Sequence, residues 1–77
     1  MIQTLNVLKP ILADIFGVEE EDISPATSFD DLGADELDLQ EIAMVVEEEF
    51  DLLIEEEALF KFAAVGDLIA YILENRT

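Results

Sequence analysis

The sequence predicts an all-α fold: a bundle of three longer helices and one short one, in a single domain spanning 1–77. Three observations predict it. Apolar residues recur at intervals of three and four in three separate segments. No stretch of useful length alternates apolar with polar, as a half-buried strand would. Turn signals fall between the periodic segments, at Gly17, Ser24-Pro25 and Gly33.

The first helix is expected over 4–16. Leu5, Leu8, Leu12, Ile15 and Phe16 share one face, and Gly17 stands where a C-terminal cap belongs. Pro10 interrupts it. A proline inside a helix removes one backbone hydrogen bond and clashes with the preceding turn, at about 3 kcal/mol, so one kinked helix is expected. The connection over 18–34 is long for so small a domain. Its apolar residues Ile23, Phe29 and Leu32 are expected to tuck into the core.

The second helix has the clearest start. Asp35 is a good N-cap, Asp38 stands three residues on in a capping-box pattern, and Glu36 suits the positive end of the helix dipole. Leu39, Ile42, Ala43, Val46 and Phe50 form the apolar stripe. At about 100° per residue, Leu37, Glu41, Met44 and Glu48 point the other way. Two apolar residues thus lie on an acidic, wet face. Single exposed apolar residues are ordinary, so periodicity alone leaves a plain solvated face and a docking face equally open. A short third helix is expected over 56–62, with Leu59, Phe60 and Phe62 making apolar contacts. A fourth is expected over 65–74, burying Val65, Leu68, Ile69 and Ile72, with Asp67 in its first turn.

Composition narrows the function. The chain has 77 residues, no cysteine and no histidine. That excludes disulfides, thiol nucleophiles and histidine-based catalysis, and with the commonest metal ligand missing no zinc site is expected. Hydrophobic residues make up 52% of the chain, so a core exists. Twenty Asp and Glu oppose three basic residues, for a net charge of -17. Such a field repels nucleic-acid backbones and anionic membrane surfaces and attracts basic protein patches or divalent cations. No basic leader with a long apolar run is seen, and no segment approaches the roughly 18 apolar residues of a membrane span. A cytoplasmic monomer is the expectation.

Three blocks together carry a family resemblance: "ILADIFGV" at 11–18, "ATSFDDLGADELDLQEIAMVVEEEFDLLI" at 26–54, and "VGDLIAYI" at 65–72. In this order and spacing, in a chain of this length and charge, they resemble the acyl carrier protein family across almost the whole sequence. The resemblance implies an acyl-carrier-protein-like four-helix bundle. In that family a serine, within a pattern resembling F-x-x-D-L-G-A-D-S-L-D, carries 4′-phosphopantetheine, whose terminal thiol holds acyl groups. Here that position reads Asp35-Glu36-Leu37.

The substitution bears on the chemistry. A stable phosphodiester needs a hydroxyl nucleophile. A carboxylate attacking the same phosphorus gives an acyl phosphate, a mixed anhydride that water cleaves. No cofactor is therefore expected at Glu36. Ser24, Thr27 and Ser28 lie upstream in the loop and are not expected to replace the serine. Glu36 is a favourable first-turn residue, worth roughly 0.3–1 kcal/mol through the helix dipole. It also imitates part of a phosphate's charge.

The resemblance further implies that the second helix is the recognition helix, with Leu37, Asp38, Glu41, Met44, Glu47 and Glu48 as partner contacts. Electrostatic steering onto Lys and Arg clusters of acyl-chain or polyketide enzymes is the implied mechanism. Gln40 departs from the small apolar residue common there. The runs Glu19-Glu20-Glu21 and Glu55-Glu56-Glu57 read as solvated faces. A calcium loop over 28–39 fails at Leu32 and Leu39, where oxygen ligands are needed, so no specific metal site is expected. Ala64 stands where the family often has a capping threonine, a loss of about 0.5–2 kcal/mol.

The expected function is therefore a non-enzymatic, acidic docking module of carrier type. Two alternatives stay open. One is a working carrier seen as a Ser-to-Glu variant, or one using another linkage such as an amide at Glu36. The other is an acidic protein that responds to divalent cations.

Overall fold

The structure, a computed structural model, describes residues 2–75. The ends of the expected domain, Met1, Arg76 and Thr77, lie outside them. Four helices follow in order: α1 (Ile2–Phe16), α2 (Glu36–Phe50), α3 (Glu56–Leu59) and α4 (Val65–Asn75). The only bridge of β type among the described residues is an isolated one between Ser28 and Ala64. The fold is all-α, as the periodicity predicts.

The helical stripes converge on one core. Leu8 and Leu12 come from α1, Ile42, Ala43 and Val46 from α2, and Val65, Leu68, Ile69 and Ile72 from α4. Full burial of such a side chain contributes roughly 1.5–3 kcal/mol, so these residues dominate the stability of a domain this small. α1 runs through Pro10 as one helix. It ends at Gly17, whose φ of 67° is one that glycine adopts without a Cβ clash. The Val18 N–H then reaches back to the Ala13 carbonyl at 3.1 Å, the long bond of a Schellman ending.

The connection from α1 to α2 is held down as expected. Ile23 and Phe29 are buried, and Leu32 packs against the core. A 3₁₀ turn over Glu20–Asp22 interrupts it. The loop is also tied to the start of α4. The Phe29 N–H donates to the Ala63 carbonyl, Val65 N–H to Thr27 and Gly66 N–H to Pro25, at 3.0, 2.9 and 2.8 Å. The bonds from Val65 and Gly66 consume orphan donors of the first turn of α4, which has no side-chain cap from Ala64.

The third helix differs from expectation. It ends at Leu59, not Phe62. After the Phe60 N–H bonds to Glu56, the next two amides bond three residues back, Lys61 to Ala58 and Phe62 to Leu59, so the last turn tightens and the helix stops. Phe60 is consequently exposed, and Leu59 and Phe62 make the inward contacts. Phe62 meets Tyr71 of α4 edge-on, with ring centroids 5.6 Å apart.

Candidate functional site

α2 begins with both halves of a capping box. The Asp35 carboxylate accepts the Asp38 N–H at 2.9 Å, and the Asp38 carboxylate accepts the Asp35 N–H at 3.2 Å. Each side chain satisfies a backbone donor that the helix leaves unpaired, which fixes where the helix starts. Glu36 is therefore its first residue, exposed, with no side-chain hydrogen bond among the described residues.

Beyond Glu36, the outer face of α2 presents Leu37 and Met44, 73% and 68% exposed. Glu41 and Glu48 are exposed on the same side. These four share a face because residues four and seven apart nearly superpose around a helix. The remaining two of the six anticipated contacts do structural work. Asp38 closes the capping box. Glu47 is half-buried, and its Oε2 accepts the Ile54 N–H at 2.8 Å.

Glu47 in fact organises the end of the helix. Its backbone carbonyl accepts the N–H groups of Asp51 and Leu52, the latter at 3.3 Å. Asp51 adopts the left-handed conformation with φ 54° and ψ 53°, an uncommon state that aspartate tolerates better than most residues. The chain turns there. Leu52 packs inward and Leu53 is thrown outward, 80% exposed. Sequence reasoning missed Leu53. The signal was the pair Leu52-Leu53 in a connection, where successive side chains do not share one side.

The other Ser and Thr hydroxyls among the described residues are engaged or hidden. The Ser24 and Thr27 hydroxyls share a hydrogen bond at 3.2 Å, and Thr27 Oγ1 also donates to the Asp22 carbonyl. Ser28 Oγ accepts the Asp30 N–H at 3.1 Å. Thr4 is buried in α1. The carboxyl of Asp67 accepts the N–H groups of Ala64 and Ala63 at 3.0 and 2.9 Å. Those bonds, Ala64 first, hold it below the usual carboxylate range. Among the described residues, no group of three or more carboxylates is placed to hold a metal ion. Nor is any helix among them long and apolar enough to cross a membrane.

Comparison with known proteins adds two findings. The profile of the family described as "Phosphopantetheine attachment site" matches residues 6–72. Among solved structures, the chain is similar to the solution structure of the apo doublet acyl carrier protein from prodigiosin biosynthesis. The TM-score is 0.69 at 24% identity. The alignment covers 96% of this chain and 38% of that one, so this domain corresponds to little more than a third of that polypeptide. At this identity the likeness concerns the fold.

Proposed function

This chain belongs to the phosphopantetheine attachment site family, and from that premise we propose that it is an acidic docking module of acyl-carrier type that does not carry an acyl thioester at the family's attachment position. Domains of this family are carriers and not enzymes themselves. The observation that carries the proposal is Glu36, exposed as the first residue of α2, where the family pattern has serine.

The family's group is 4′-phosphopantetheine, and the donor chemistry at this position does not fit it. A carboxylate forms no stable phosphodiester, and it brings negative charge toward the anionic phosphates of coenzyme A. The hydroxyls nearest in sequence are committed to turns within the loop. The scaffold around Glu36 is otherwise intact: capping box, acidic outer face, apolar Leu37 and Met44. Those features serve docking and do not require the arm. A fixed charge at Glu36 imitates part of the charge of a loaded carrier.

The partners in this reading are enzymes of acyl-chain or polyketide metabolism with basic patches, met by a cytoplasmic monomer. Glu41 and Glu48 supply free charge for steering. Leu37 and Met44 supply apolar contact. Asp38 and Glu47 contribute charge from positions already fixed by backbone bonds. The test is a titration of isotope-labelled chain with a broad-specificity phosphopantetheinyl transferase. Amide shifts should concentrate on α2, and affinity should fall with added salt and on Glu41→Lys with Glu48→Lys. Binding indifferent to both changes would refute docking through this face.

A further inference from the structure

Between α1 and α2 runs an open groove of about 470 Å³, lined by Pro10, Ile11, Asp14, Ile15, Glu41 and Val45. A volume of this order suits a small molecule. Ile11, Ile15 and Val45 are half-buried and make an apolar floor. Asp14 of α1 and Glu41 of α2 are exposed carboxylates, one from each helix. The lining includes no cation.

The proline in α1 adds a further oxygen. Pro10 offers no N–H to the Asn6 carbonyl one turn back, so at the Pro10 end of the groove an acceptor lacks its usual helical donor. Two carboxylates and this carbonyl call for a ligand that donates hydrogen bonds and carries positive charge. The floor calls for one with an apolar body.

We propose that this groove binds a small aliphatic amine in its ammonium form, with the alkyl chain on Ile11, Ile15 and Val45 and the ammonium held by Asp14 and Glu41. Charge selects the class. A net charge of -17 concentrates cations around the chain, and like carboxylates beside an apolar wall focus that field. An alkyl carboxylate is repelled by the same field. A divalent metal ion takes six or so oxygen ligands, and no group of three or more carboxylates among the described residues is placed to hold one. A metal ion also gains nothing from the apolar floor, whereas each methylene laid there adds affinity. The site shares only Glu41 with the outer face of α2 and stands independently of docking.

Hexylammonium, methylammonium, hexanol and Nα-acetyl-lysine methylamide test it, each titrated into isotope-labelled chain at one ionic strength. Hexylammonium should saturate, with amide shifts centred on residues 11–15 and 41–45. It should bind at least about tenfold tighter than methylammonium, for its methylenes, and about threefold tighter than hexanol, for its charge. The lysine derivative carries the same ammonium on a peptide unit that has no place on the floor, and it should bind more weakly than hexylammonium. Asp14→Asn should weaken hexylammonium about threefold. Glu57→Gln removes the same charge at an exposed position on α3 and should leave the affinity unchanged. Equal binding of the two ammonium ions would show a diffuse counterion atmosphere and overturn the proposal. Equal binding of hexanol would reduce the groove to an apolar cleft and overturn it too. So would a lysine derivative as tight as hexylammonium, which would assign the groove to a protein side chain. Shifts centred elsewhere, or an affinity that Asp14→Asn does not lower, would place any binding outside this groove.

Discussion

The N–H of Gly66 donates to the carbonyl oxygen of Pro25 at 2.8 Å, and a Cβ on Gly66 would lie 2.9 Å from that same oxygen. Glycine is therefore required in the first turn of α4, because the loop before α2 seats its backbone there. Helix propensity alone favours alanine over glycine by about 1 kcal/mol. Here the obstacle is a backbone carbonyl, which does not swing aside as a side chain does. Gly66→Ala should destabilise by about 1–3 kcal/mol in urea unfolding. A stabilised variant would mean that the loop is free to move off α4.

Ala64→Thr should stabilise, but only by about 0.5 kcal/mol, the low end of what an N-cap hydroxyl contributes. The donors such a hydroxyl would serve are already taken. Gly66 N–H goes to Pro25, and Asp67 N–H goes to the Ala64 carbonyl at 3.0 Å. Chemical denaturation of the pair measures the difference. A gain near 2 kcal/mol would show that these loop bonds satisfy the turn poorly.

Asp67 makes the start of α4 sensitive to acid. Its folded carboxyl is held below the ordinary range by the Ala64 and Ala63 amides. Between that depressed value and the unfolded value of about 4, the unfolded chain binds more protons. The stabilisation is complete above the unfolded value and is lost as pH falls through the folded one. Asp67→Asn keeps an acceptor but no charge. The variant should be less stable than the parent near neutrality, and the gap should close in acid. A gap that is constant from neutral pH into acid would contradict the assignment.

Pro10→Ala should stabilise α1 by up to about 3 kcal/mol, because proline offers no N–H to the Asn6 carbonyl. Thermal melts compare the two. A loss of stability would show that the ring at Pro10 contributes packing that outweighs the missing bond.

What the sequence made legible was local. The Asp35–Asp38 capping box is two residues three apart, and the stripe from Leu39 to Phe50 needs only the helical period. Both appear as expected, although Leu39 and Phe50, at the ends of the stripe, are half-buried. The Gly66–Pro25 contact was not legible, because it joins positions far apart that meet only after folding. Nor was the bond from Glu47 to Ile54, which turns one expected surface charge into a brace. The early end of α3 escaped because Phe60 and Phe62 both look like core residues. Only the tightened turn after Leu59 shows that one of them faces outward.

The most direct test of the central claim is the intact mass of this chain and of Glu36→Ser after incubation with coenzyme A and a broad-specificity phosphopantetheinyl transferase. The serine variant should gain the mass of one phosphopantetheine arm, and this chain should gain none. An arm mapped to Glu36 of this chain would contradict the claim that the attachment position is not loaded, and an arm on any other residue would contradict the expectation that no other hydroxyl replaces the serine. No arm on either would contradict the assignment of Glu36 to the attachment position.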